Sequence, residues 1–305
     1  MSNAKGIGIT FADKGPSTTG DDYGSAINLV ARSFQLDYTP PPAFAAIGLG
    51  TFYTCKYDFI THVTSAGSDL TTSRDGSHGM DCAEYGVFAA AAGDFDLLEY
   101  IWATETTASS VTLSTSRKGW EKSATSEGTF GIQNAGTSTN KYIFSSKASF
   151  ATTAIGNNRY GAAGAGNTEM GIHAGGYPTT ALARKYIFAD DTVVAAPSLG
   201  LAKYLTAGCS NQVYGIIACG HSATDYINKY TYADNTMVQG TSASRAKSYM
   251  GCVGYTEYGV ITTGSAPSEE IELYTWDTEV VSFGSNLIAG GSYKNGCSSV
   301  NGSYN

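Results

Sequence analysis

The sequence predicts a closed all-β ring of short four-stranded sheets, and three regularities predict it. An aromatic stretch recurs as CKYDF (55–59), LEYIW (98–102), NKYIF (140–144), RKYIF (184–188), NKYTY (228–232) and ELYTW (272–276). Its tyrosines, Tyr57, Tyr100, Tyr142, Tyr186, Tyr230 and Tyr274, lie 43, 42, 44, 44 and 44 residues apart. A stretch ending in glycine falls between them and closes at Gly50, Gly93, Gly136, Gly176, Gly220 and Gly264. A basic residue stands 17 to 19 positions before each of those glycines: Arg32, Arg74, Arg117, Arg159, Lys203 and Lys247, the last with Arg245 close by. A fixed period of this length is the mark of a repeat architecture.

Within the unit the pattern is that of strands. In Lys185-Tyr186-Ile187-Phe188 the two aromatic residues are two positions apart and share a face, while Lys185 and Ile187 point the other way. Four strands fit one period. The first carries the basic residue (201–207), the second ends near the glycine (213–219), the third is aromatic (229–232) and the fourth is a short outer strand (236–241). Gly, Asn-Thr and Asp-Asp turns separate them. Four antiparallel strands in such a unit make the blade of a β-propeller. The whole chain, 1–305, reads as one such domain.

Composition agrees with strands and turns. Charged residues are only 14%, while Gly (37) and Tyr (21) are plentiful. The net charge of −8, without a dense acidic run, argues against nucleic-acid binding. No apolar run reaches the length of a membrane helix, and the N-terminus lacks the h-region of a secretory signal, so membrane insertion is not expected. The cysteines, Cys55, Cys82, Cys209, Cys219, Cys252 and Cys297, contain no Cys-x-x-Cys pair. They read as buried thiols rather than metal ligands.

On these residues the unit resembles the Kelch-type repeat, with a basic first strand, a double glycine closing the second and a tyrosine in the third. Arg159, Gly175-Gly176 and Tyr186 match it. The other units close on CG, TG, AG or LG, and Trp102 and Trp276 stand in the third strand where the resemblance would place tryptophan in the fourth.

The chain ends bear on the number of blades. LIAGGSYKNG and VNGSYN follow the last aromatic strand, and Phe11-Ala12-Asp13 near the N-terminus repeats Phe188-Ala189-Asp190. The two ends are expected to share one blade, which with six internal units gives seven blades, six being the alternative. Joint closure removes exposed sheet edges.

Candidate chemistry is sparse. His62, His78, His173 and His221 fall at different points of their units without metal-ligand spacing. Asp190-Asp191 recurs as Asp234-Asn235 and reads as a turn. No nucleophile elbow or phosphate loop is present, and no cofactor is expected. Arg32, Arg74, Arg117, Arg159, Lys203 and Lys247 would ring one mouth of the channel, for an anion or acidic partner, or else would bind carbonyls and acidic turns of neighbouring blades. Repeated tyrosines are expected in the core between blades. Tyr38, Tyr177 and Tyr255 lie outside the repeat and are candidate loop contacts.

The Ser/Thr/Gly/Ala-rich, low-charge character and the similarity to Kelch-like units of phage tail and fibre-associated proteins imply a non-enzymatic virion protein. It would contact other virion proteins or a host-surface glycan or receptor, as a homo-oligomer within an assembly. The alternative is a carbohydrate- or protein-binding propeller of lectin or adaptor type. Kelch-like propellers also include copper oxidases and sialic-acid isomerases, but their residue sets are not visible in this sequence.

Overall fold

The computed structural model describes residues 43–49, 52–71, 79–88, 96–112, 123–135, 138–156, 160–221, 225–262, 264, 269–289 and 295–298. All of them belong to one compact unit, Pro40–Asn305. Among them there is no helix, and the strands form six four-stranded antiparallel sheets arranged as the blades of a propeller.

Blade 1 contains β1 (Phe44–Gly48), β2 (Thr54–Asp58) and β3 (Thr64–Ala66). Blade 2 follows with β4 (Gly79–Asp81), β5 (Tyr85–Phe88), β6 (Asp96–Ile101) and β7 (Thr106–Thr112). Blade 3 has β8 (Ser123–Ser126), β9 (Phe130–Ala135), β10 (Ser138–Ile143) and β11 (Ala148–Thr152). Blade 4 has β12 (Ala163–Gly166), β13 (Met170–Ala174), β14 (Ala183–Ile187) and β15 (Thr192–Ala196). Blade 5 has β16 (Ala207–Ser210), β17 (Tyr214–Ala218), β18 (Tyr226–Thr231) and β19 (Thr236–Ser242). Blade 6 has β20 (Cys252–Gly254), β21 (Tyr258–Thr262), β22 (Ile271–Thr275) and β23 (Val281–Phe283). The last strand, β24 (Asn295–Ser298), returns to blade 1.

Among the described residues the blades therefore number six, the smaller of the two counts expected. β24 pairs antiparallel with β1, from Ala45↔Ser298 to Gly48↔Asn295. The C-terminal strand is thus the innermost strand of the blade that holds Tyr57, and it begins no seventh blade. The joint closure expected of residues 1–14 lies outside the described residues.

Sequence explains why the inner strands converge. They read GMD, SATS, AGAG, AGCS, CVG and NGCS, almost entirely small residues. A β-carbon on Gly164, Gly208 or Gly254 would lie 2.1, 2.4 or 1.9 Å from the carbonyl oxygen of Ala124, Gly164 or Ser210 on the preceding blade. Ser210 also links two blades, since its hydroxyl accepts from the Gly166 amide (3.0 Å) and donates to the Gly166 carbonyl (2.6 Å).

Between blades lies the core. All six repeated tyrosines are at most 1% exposed. Each aromatic strand lies against the preceding blade. Tyr230 and Tyr232 meet Ala165 and Ile172, Tyr274 and Trp276 meet Cys209 and Ile216, and Tyr57 and Phe59 meet Val253 and Val260. Burying each large side chain contributes about 2–3 kcal/mol before entropy is counted. The Tyr-Gly pairs follow from this packing, because a β-carbon on Gly215 would meet the Tyr232 hydroxyl at 2.8 Å and Ala165 at 2.9 Å. Five described cysteines are buried free thiols, while the side chain of Cys297 lies outside the described residues.

A polar belt joins the blades on the side of the turns between third and fourth strands. Five residues after each core tyrosine the backbone is left-handed, at His62, Glu105, Lys147, Asp191, Asn235 and Glu279, with φ between 51° and 59°. In five of the six blades the residue just before the tyrosine reaches the left-handed residue of the next blade. Lys56 pairs with Glu105, Lys147 with Glu99 (2.6 Å), Lys141 with Asp191 (2.7 Å), Lys185 with Asn235 (3.0 Å) and Lys229 with Glu279 (3.2 Å). One link has its charges exchanged, because Glu99 precedes Tyr100 where lysine stands in four other blades. At the seam between blades 6 and 1 the corresponding residues are Leu273 and His62. There His62 bonds the Tyr57 hydroxyl (2.9 Å) and stacks on Tyr258 (5.3 Å between centroids).

Candidate functional site

The central channel is the first place to look for a site in a propeller. Inner strands of blades 2 to 6 line a cavity of about 50 Å³. That volume holds on the order of three or four waters and is far below a small-molecule pocket. Asp81, the charged residue among the described lining, accepts the Ser126 hydroxyl (2.8 Å).

Of the ring expected from the basic series, the described residues hold two members. Arg32, Arg74, Arg117 and Arg159, like Tyr38, lie outside those residues, and the structure places Lys203 and Lys247. Both precede the innermost strand by about one turn of loop, whereas the sequence had put the basic residue on that strand. Lys203 is fully buried, and its ammonium donates to the carbonyls of Ile217 (2.9 Å) and Tyr226 (3.0 Å). Burial lowers its pKa to about 8, although the neighbouring Cys219 favours the charged form. Lys247 lies 2.7 Å from Glu272 Oε1 with both side chains buried, an ion-pair contact outside hydrogen-bond alignment. These two cations sit inside the protein, so an anion at the mouth would not reach them.

The remaining candidates separate by face. Chain direction puts the first-to-second and third-to-fourth strand turns at one end of the ring, and the other connections at the opposite end. Tyr255 is in a first-to-second strand turn, partly buried, and stacks on Phe59 at 4.7 Å and 11°. Its carbonyl accepts the Trp276 indole N–H (2.8 Å). Tyr255 is thus spent on the seam between blades 6 and 1. Tyr177 is at the opposite end, 41% exposed.

Tyr177 belongs to an aromatic strip that the sequence reading did not assemble. Its ring stacks on Tyr160 (4.6 Å, 30°) and meets Tyr204 edge-on (5.3 Å, 64°). Tyr204 in turn lies 4.7 Å from His221, which is exposed. Loops of blades 4 and 5 carry these rings, and short antiparallel bridges fix the loops: Tyr160 with Tyr177, Thr180 with Lys203, and Tyr204 with His221. The amides of Tyr177 and His221 donate to the carbonyls of Tyr160 (2.8 Å) and Tyr204 (2.7 Å).

Glycine makes this loop lattice possible. The Gly176 amide bonds the Lys203 carbonyl (2.9 Å) and the Gly220 amide bonds that of Lys247 (2.8 Å). Gly175 (φ 73°), Gly176 (110°) and Gly220 (131°) all require positive φ. A β-carbon on Gly175 would also lie 2.7 Å from the Lys203 carbonyl oxygen. The signal was present in the period: Tyr160 and Tyr204 are 44 residues apart, as are Tyr177 and His221. Leu182 and Leu201, 46% and 43% exposed, stand on the same loops. In blade 6 Ser248 takes the place of Tyr204.

The other sequence candidates resolve into structure. His173 is buried and faces Thr125 (3.4 Å), while His78 lies outside the described residues. The Asp190 carboxylate accepts from Thr192 (2.6 Å from the hydroxyl), as a turn residue does. Burial raises the Asp191 pKa, but bonds from Lys141 and the Tyr186 hydroxyl outweigh it and hold the carboxyl below its usual range. Glu270 pairs with Arg245 (2.6 Å). Among the described residues no group of three or more His, Cys, Asp or Glu side chains is arranged to hold a metal.

The fold and its surface define a six-bladed β-propeller with a nearly closed axis and an aromatic strip on one face. No protein-family model and no curated protein sequence matches the chain.

Proposed function

We propose that this protein acts by contact rather than catalysis, as a receptor-binding propeller of a virus particle, tail- or fibre-associated. Its contact surface is the strip of Tyr160, Tyr177, Tyr204 and His221. The observation that supports this reading is the strip itself: aromatic rings accessible from solvent on loops whose backbones are bonded to one another. Tyrosine offers a large contact area with few torsions to freeze, which makes such rings effective anchors. Loops pinned to one another by backbone hydrogen bonds lower the entropic cost of binding.

The virion setting rests on composition, a low-charge chain rich in small and hydroxyl residues, and on the Kelch-like unit. Divergent Kelch identity is supported by Gly175-Gly176 just after the second strand and by the buried Tyr186 of the third. Neighbouring virion proteins and further copies of the chain are proposed partners in the assembly.

Peptide mass spectrometry on gradient-purified particles is expected to find the chain at stoichiometric level. Its absence from clean particles would favour a lectin or adaptor working outside a virion. For the strip, Tyr177→Ala and His221→Ala are expected to weaken binding to host cells about tenfold with melting temperature unchanged. Cell binding equal to wild type in both variants would remove the strip from the reading.

A further inference from the structure

We infer that the ligand of the aromatic strip is a neutral saccharide, an inference that rests on the contact reading above and adds the chemical class. A sugar ring presents weakly positive C–H faces, which are attracted to the negative faces of aromatic rings, and hydroxyls that need donors and acceptors at the edge. The strip supplies both. Tyr177 is exposed, Tyr160 and Tyr204 are partly so, and the Tyr hydroxyls and the exposed His221 ring can exchange hydrogen bonds with sugar hydroxyls.

Charge decides which saccharides fit. Sialylated, sulfated and phosphorylated glycans need a cation, since a carboxylate or sulfate gains most from charge-assisted hydrogen bonds. The lysine adjoining Tyr204 cannot give one, because Lys203 is fully buried and spends its ammonium on the carbonyls of Ile217 and Tyr226. Lys247, at the same place in the next unit, is buried against Glu272. The chain as a whole carries a net charge of −8, which repels anionic glycans at long range. Arg159, which precedes Tyr160, lies outside the described residues; among the described residues the lysines at that place in the next two units are both buried, and an aromatic, hydroxyl-bearing strip beside them favours uncharged rings. A cationic ligand, which could also use aromatic faces, would have to leave the strip when salt screens the field of the protein; a neutral sugar would not.

The test uses the full-length chain and saturation-transfer NMR with oligosaccharides of glucose, galactose, mannose and N-acetylglucosamine, together with N-acetyllactosamine and its sialylated and sulfated forms. At least one neutral glycan is expected to bind through its C–H face, with affinity unchanged when salt rises from about 0.05 to about 0.5 M. Tyr177→Ala and His221→Ala, at two points of the strip, should each weaken that binding about tenfold while the thermal melt stays that of wild type. The inference is overturned if no neutral glycan binds at millimolar concentration, if only the sialylated or sulfated forms bind, or if both variants bind as wild type.

Host-cell binding separates the two levels of the argument. Binding that survives periodate oxidation of surface carbohydrate but is lost in the strip variants would overturn the saccharide and keep the contact surface, pointing to a protein partner. Cell binding insensitive to the strip variants would overturn both.

Discussion

Lys203 is a cation held by two carbonyls in a fully buried place, and its energetics can be read from its acidity. Burial lowers its pKa from 10.5 to about 8. Between those values the unfolded chain holds a proton that the folded protein has released, so stability rises with pH across this window. Below about pH 8 both states are protonated and the folded state bears the full cost of the buried charge, about 3 kcal/mol for this shift. Lys203→Met removes the titration and leaves the two carbonyls unpaired at every pH. The stability difference between wild type and Lys203→Met, measured by urea unfolding from about pH 7.5 to 10.5, is therefore expected to move by about 3 kcal/mol in favour of wild type. Parallel curves would refute the assignment.

At this scale the sequence was informative about position and silent about direction. The six core tyrosines were legible because their interval and their two-residue alternation with a second aromatic residue both describe a buried strand face. The lysines had the same regular interval, yet interval does not say whether a side chain faces the channel or turns back beneath a loop. Tyr177 looked unrepeated because its counterpart is a histidine: a search for identical residues misses a position defined by ring stacking.

Among elements, the belt shows how neighbouring blades are told apart. Each link joins the residue before a core tyrosine to the left-handed turn residue of the next blade, 48 to 50 positions on. That span exceeds the repeat, so alignment of units against one another cannot reveal it. Only the fold brings the partners together. Surface pairs of this kind are individually weak, but Glu99 is 1% exposed and also accepts the Tyr142 hydroxyl (3.1 Å), which raises the stakes at its link. The exchanged charges, Glu99 with Lys147, mean that blade 2 next to blade 4 would set Glu99 against Asp191. Glu99→Lys faces Lys147 with a like charge and is expected to cost about 2–3 kcal/mol. Adding Lys147→Glu restores the pairing seen at the other links and should recover about 1 kcal/mol as coupling in a double-mutant cycle. Zero coupling in denaturant unfolding would reduce the belt to adjacent but independent charges.

For the whole molecule, one short pairing decides whether the ring is closed. Strands within each blade follow one another along the chain and form locally, but blade 1 must wait for Asn295–Ser298. The sequence pointed to closure by a C-terminal strand, but the N-terminal partner expected for it, around Phe11, lies outside the described residues. It could not say which residues accept the last strand, since FAAIG (44–48) resembles every other second strand and residues before it align poorly with the unit. The register settles the matter by seating the C-terminal strand on Phe44–Gly48, and the same strand neighbours the inner strands of blades 2 and 6. Truncation after Ala289 would therefore remove one of six inner strands and expose three blades at once. We expect a melting temperature lower by about 10 °C or more and a broadened transition, because a ring opened at one seam loses cooperativity between its first and last blades. A synthetic peptide of residues 290–305 added to the truncated chain should bind and restore much of the loss, as an inner strand supplied from outside would. If truncation leaves the melt unchanged, closure does not depend on this strand; if the peptide cannot restore a destabilised chain, covalent connection to blade 6 contributes more than the pairing with β1.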